Sequence, residues 1–144
     1  MKWWVLIPIL GVAYIAVSKK YLPRRIRNNI EWQGMQTIQN DSDFVQFDSP
    51  EYGFRAMARV LRSYASRGLN TLRSIISTYA PATENHTETY VHFVAAHLNV
   101  SPDAVLDVDS KLFELIQAIS IFENGTLYAN HYDDKTIKDG IALA

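Results

Sequence analysis

The chain has 144 residues and a formal net charge of −1, with 48% hydrophobic and 12% aromatic residues and no cysteine. That composition supports a real core and argues against disorder, and the missing cysteines exclude disulfide scaffolds, thiolate metal sites and cysteine nucleophiles. The near-neutral total is a cancellation: residues 1–27 hold six Lys/Arg and no acid, while residues 28–144 hold eight Lys/Arg against fifteen Asp/Glu. The acidic part is enough for one ordinary domain and too short for two. Its sign argues against direct nucleic-acid binding.

Trp3 to Val17 reads WWVLIPILGVAYIAV, fifteen residues without a charge. As a helix it would reach about 22 Å, short of a hydrocarbon core of about 30 Å. Lys2, Lys19 and Lys20 can snorkel to headgroups, and Trp3 and Trp4 suit the interface. A kink at Pro8 is better tolerated in lipid than in water. A secretory signal peptide has a similar apolar length, but Ala16-Val17-Ser18-Lys19-Lys20 offers no clean cleavage site. A buried soluble helix is not normally apolar on every side. The expectation is a transmembrane anchor over residues 1–18 and a basic juxtamembrane collar over 19–27. Lys19, Lys20, Arg24, Arg25 and Arg27 in that collar would hold the following domain on the cytoplasmic side. They would also attract anionic lipid, each contributing about 1 kcal/mol.

Residues 28–48 read as loop with a small β-hairpin. Trp32, Ile38 and the run Phe44-Val45-Gln46-Phe47 are apolar or β-prone, spaced by Gly34 and Asn40-Asp41. From Ser49 the pattern turns helical. Ser49 can cap, Pro50 suits the first turn, and Glu51 meets the helix dipole. Phe54, Met57, Ala58, Leu61 and Ala65 form one apolar stripe, with Arg55, Arg59 and Arg62 opposite. Arg67-Gly68 ends this helix.

A second helix is expected from an Asn70 cap through Leu72, Ile75, Ile76 and Tyr79, stopped by Ala80-Pro81. A third runs from Thr83–Glu84 to about His97, with Tyr90, Phe93 and Val94 inward and His97 a further candidate. Ser101-Pro102-Asp103 opens a helical turn. Ser110 caps a last helix that turns Leu112, Leu115, Ile116, Ile119 and Phe122 inward and breaks at Asn124-Gly125. The globular domain therefore spans 28–132, and a polar, loosely held tail follows over 133–144. The fold class is mainly α.

Chemistry-bearing groups are few. His86, His92, His97 and His131 lack metal-ligand spacing, since His92 and His97 are five apart rather than four. No metal and no cofactor is expected. The Arg55, Arg59, Arg62 stripe could meet phosphate, but such a stripe is more often a solvated face. The sequons at Asn85, Asn99 and Asn124 are short chance matches. There is no P-loop, nucleophile elbow or Rossmann glycine pattern.

Two glutamates remain as candidate acids. Glycoside cleavage needs a proton donor whose pKa is raised by an apolar cleft. Glu123 follows Phe122 at the end of an apolar helix, beside Asn124-Gly125. Glu84 stands at a helix start, where a capping role is the plainer explanation.

The stretch Phe47-Asp48-Ser49-Pro50-Glu51-Tyr52-Gly53-Phe54-Arg55-Ala56-Met57-Ala58-Arg59-Val60-Leu61 resembles a family of small phage and prophage structural proteins. Gly68-Leu69-Asn70-Thr71-Leu72, Tyr79-Ala80-Pro81, Glu84-Asn85-His86-Thr87 and Tyr90-Val91 continue that resemblance. Those proteins open their domain with Arg-Asn-Asn-Asn-Pro-Gly-Asn-Ile and then Trp-x-Gly. Here the opening is shortened to Arg27-Asn28-Asn29-Ile30, before Trp32-Gln33-Gly34. With its apolar start, the chain looks most like the membrane-associated virion proteins of tailless, membrane-containing phages of the corticovirus type. That resemblance implies a single-pass protein of the virion membrane, in the host inner membrane during assembly. Its partners would be lipid and other virion proteins.

A second, more distant resemblance is to lysozyme-like, glucosaminidase-type muramidases. Asn28-Asn29, Trp32-x-Gly34 and Phe44-x-x-Phe47-x-Ser49 follow their order, but no glutamate helix precedes them. Glu123-Asn124-Gly125 stands at the opposite end, as a circular permutation would place it. This resemblance implies a small lysozyme-like domain that cleaves peptidoglycan as the phage enters its host, by hydrolysis or lytic transglycosylation. Glu123 would be the acid, with Glu84 as the alternative, and Asn28, Asn29, Trp32 and Tyr90 would line the sugar cleft. The alternative function is a non-catalytic virion protein linking the internal membrane to capsid or genome.

Overall fold

A computed structural model describes residues 32–35, 47–80, 87–124 and 132–144. Five helices occur among them: α1 (Pro50–Ser66), α2 (Leu72–Tyr79), α3 (Thr87–Leu98), α4 (Leu112–Asn124) and α5 (Asp134–Leu143). The mainly helical expectation holds. No strand occurs among the described residues. Instead Met35 and Phe47 form one isolated antiparallel bridge, beside an Asp48 N–H that donates to the Gly34 carbonyl at 2.8 Å. The rest of the expected hairpin lies outside the described residues. Gly34 sits at φ +74°, and a β-carbon there would fall 2.0 Å from the Tyr52 ring. Only glycine fits that approach.

α1 begins as its sequence suggests, with Pro50 in the first turn and Glu51 at the positive dipole end. Ser49 is extended at the N-cap position, yet its side chain makes no capping bond. The helix closes in a Schellman arrangement: Leu69 N–H donates to Tyr64 O at 3.0 Å and Gly68 N–H to Ala65 O at 2.9 Å. Gly68 takes the required left-handed conformation, φ +82°.

Thr71 caps α2, one residue beyond the expected Asn70. Thr71 Oγ1 accepts from the Ser74 N–H, and Ser74 Oγ accepts from the Thr71 N–H, both at 3.1 Å. This reciprocal box satisfies two otherwise orphaned donors. The Asn70 backbone carbonyl accepts from Leu106 N–H at 2.7 Å, fastening the 101–108 loop to the start of α2. α3 ends in the same Schellman pattern as α1, with Asn99 at φ +53° in place of glycine. Before α4, Ser110 is not the cap. Its N–H and hydroxyl donate back to Asp107, at 3.3 and 3.0 Å, inside the preceding turn.

The expected loose tail is a helix. Asp133 caps α5 by accepting from the Thr136 N–H at 2.8 Å. Ile137, only 2% exposed, and Gly140 face inward, and Ile141 packs against the core beside them. Ile137, Gly140 and Ile141 repeat at helical spacing, but this stripe is short and follows a run of charged residues.

α1 packs against both α4 and α5, and α3 packs against both α2 and α4. Phe54, Leu61, Tyr64, Ile75, Ile76, Tyr90, Leu115, Ile116 and Ile119 are all essentially sealed from solvent and form one cluster. The outward arginines of α1 act largely as fasteners. Arg62 Nε donates to Asp109 at 2.7 Å, and Arg55 Nε to the Leu143 carbonyl at 3.0 Å. Arg59 is exposed.

The single-pass membrane expectation is corrected. Among the described residues no helix is long and apolar enough to cross a membrane. The longest of them, α1, has 17 residues and carries arginines on its outer face. The run Trp3 to Val17 and the collar residues Lys19, Lys20, Arg24 and Arg25, on which that expectation rested, lie outside the described residues.

Candidate functional site: a carboxyl among tyrosines

Three helix ends meet where the chemistry-bearing residues gather. α2 finishes at Tyr79. α3 starts at Thr87, whose buried hydroxyl donates to the Ala80 carbonyl at 3.0 Å. α4 brings Phe122 and Glu123 in its last turn. The Phe122 ring lies flat on Tyr90, centroids 3.9 Å apart and planes 9° off parallel. Phe93 of α3 tilts against the same ring at 5.3 Å. This packing fixes the last turn of α4 and draws Glu123 toward the interior.

Glu123 is half-buried as a residue, but its Oε1 is inaccessible and lacks a well-formed hydrogen bond among the described residues. The Tyr90 phenol is fully buried and lies within reach of that carboxyl. The pair interacts electrostatically and through the hydroxyl, though it misses good hydrogen-bond geometry. Burial pushes Glu123 up to about 8, and the Tyr90 hydroxyl, which favours the anion, offsets only part of that. Burial likewise pushes Tyr79 and Tyr90 well above the ordinary phenol value, and the nearby Glu123 charge adds to it. Tyr64 of α1 joins through Tyr79 and is itself pushed up to about 12 by burial.

The arrangement can hold a proton. Near neutral pH the Glu123 carboxyl is largely protonated, the state a general acid needs. Among the described residues no second carboxylate acts electrostatically on it. Glu88 pairs with Arg73, which also binds Asp103 at 2.7 Å. His92 stands 3.6 Å from Glu88 on the surface, and His97 Nε2 meets Gln117 Oε1 at 2.9 Å.

Of the residues expected to form one site, the structure brings together Glu123 and Tyr90. Tyr90 is not a cleft wall: it is 0% exposed and lies beneath Phe122. Trp32 is buried in the core cluster, and among the described residues no hydrogen bond, ion pair or ring contact joins it to Glu123. Asn28, Asn29 and Glu84 lie outside the described residues. Sequence reasoning missed Tyr79 as a neighbour of the carboxyl, and Tyr64 as a neighbour of Tyr79. Both sit on apolar helix stripes, where a tyrosine reads as core, and its hydroxyl goes unnoticed.

No family model matches the chain. It is similar to Protein P5 of Pseudoalteromonas phage PM2, at 34% identity across 91% of this chain and 88% of that protein. Identity at that level over nearly the full length of both chains means a shared fold, so this chain belongs to the family of phage PM2 protein P5.

Proposed function

We propose that this chain is a structural protein of a phage particle, contacting other virion proteins through its helical domain. The supporting observation is the near end-to-end correspondence with a protein of phage PM2. The test is mass spectrometry of gradient-purified particles. The protein should band with infectious virus. Recovery from lysate alone, with none in the particles, would overturn the assignment.

One observation favours a second reading, peptidoglycan cleavage with Glu123 as general acid. The carboxyl is protonated near neutrality because it is buried. Among the described residues no second carboxylate acts on it, which suits a reaction in which the substrate's own group is the nucleophile. Tyr90 would then be a positioning residue beneath the acid, not a sugar contact. Zymograms of the full chain against purified cell wall decide this. Clearing that disappears in Glu123→Gln supports it. Clearing retained by that variant, or absent from the wild type, removes the reading.

A further inference from the structure

We propose that Glu123 is a proton-dependent latch that clasps the ends of α2, α3 and α4 and loosens them when it ionises. The geometry carries this. Oε1 is sealed from solvent without a sound partner, and the facing groups are phenols: Tyr90 from α3 and Tyr79 from α2. A protonated carboxyl can sit there and donate to an oxygen. Among the described residues an ionised one gains the Tyr90 hydroxyl, which offsets only part of the water it has lost.

Among the described residues around the latch, Glu123 is the one left to titrate. From α1, Tyr64 reaches it only through Tyr79. From α3, the charged groups point elsewhere: Glu88 to Arg73, His92 to Glu88, and His97 to Gln117. From α5, Asp134 accepts from Gln117 at 3.1 Å and does not act on Glu123. From α4 itself, Glu114 lies in the first turn, at the far end. Glu84, His86 and His131 are outside the described residues. Burial holds Tyr64, Tyr79 and Tyr90 above the ordinary phenol value, so they stay neutral while Glu123 ionises. Ionisation drives the carboxylate outward, and Phe122, its chain neighbour, must then slide off Tyr90.

The test uses the full chain with carbon-13-labelled glutamate, following carboxyl signals against pH. One signal, missing in Glu123→Gln, should titrate at about 8. The near-ultraviolet dichroism of the Tyr90–Phe122 stack should fall through the same midpoint. Tyr90→Phe removes the group that favours the anion, so its carboxyl midpoint should move upward. This variant also keeps the test open if Glu123→Gln folds poorly. A Glu123 midpoint in the ordinary glutamate range would overturn the proposal. So would a dichroism change that persists in Glu123→Gln, or a Tyr90→Phe midpoint that moves down.

Discussion

Gly140 of α5 lies so close to Phe54 of α1 that a β-carbon on the glycine would come 2.5 Å from the phenylalanine Cβ. The same β-carbon would stand 2.7 Å from the Glu51 carbonyl oxygen and 3.2 Å from the Arg55 nitrogen. Backbone cannot swing aside as a flexible side chain can. Gly140→Ala should therefore lower stability although alanine is the better helix former, by about 1–3 kcal/mol as overpacking usually does. Thermal melts of the two proteins measure it, and an unchanged or raised melting temperature would contradict the close approach.

The Thr71–Ser74 box gives a second expectation. Thr71→Ala removes the acceptor for the Ser74 N–H and should cost about 1 kcal/mol, as cap losses do. Asn70→Ala should cost less, because only the Asn70 backbone carbonyl is used in holding Leu106. Denaturant titrations that rank the two variants the other way would restore Asn70 as the cap.

Glu123 makes stability depend on pH in a defined direction. The unfolded carboxyl loses its proton near about 4.3, while the folded one keeps it to about 8. Across that window the folded state binds more protons, so stability falls as pH rises. The slope approaches about 1.4 kcal/mol per pH unit and amounts to several kcal/mol by the upper end, where the loss levels off. Glu123→Gln should flatten this slope. Parallel melts of both proteins at a series of pH values test it, and identical slopes would exclude the buried carboxyl as their source.

Asp133 works in the opposite sense. Its carboxylate accepts from the Thr136 hydroxyl and N–H, which hold its pKa below the usual aspartate value. The stabilisation is present above the unfolded pKa and is lost as pH falls through the folded one. α5 should therefore loosen in acid. Asp133→Asn, which still caps but does not titrate, should remove that acid sensitivity. Hydrogen exchange in α5 at low pH, corrected for intrinsic rate, reports the difference.

How far the chain can be read without its structure depends on what kind of signal each residue sends. α1 is legible because Pro50, Glu51 and Gly68 mark its ends while Phe54, Met57, Ala58 and Leu61 repeat with helical period. α4 is legible from its helical period alone, from Leu112 to Ile119. α5 is less so, since its stripe of Ile137, Gly140 and Ile141 is short and is set among Asp134, Lys135, Lys138 and Asp139. At the site, Glu123 is legible because an acid at a helix C-terminus goes against the dipole and so calls for a reason. Its tyrosine neighbours come from helices whose mutual packing no local pattern encodes. Tyr90, singled out for a cleft, proves to be interior because Phe122 covers it.

The α1–α5 clasp also orders events in time. α1 is the first of the five helices to be synthesised, and α5, which covers Phe54 and accepts Arg55 at the Leu143 carbonyl, is the last. Its inner face has no local substitute. Closing a loop of that span costs little more than closing a shorter one, since the entropy grows only with the logarithm of length. The delay is therefore one of supply. A ribosome-bound chain lacking α5 shows an unfinished α1 to its surroundings, and a nick ahead of Asp134 would recreate that exposed state in the finished protein.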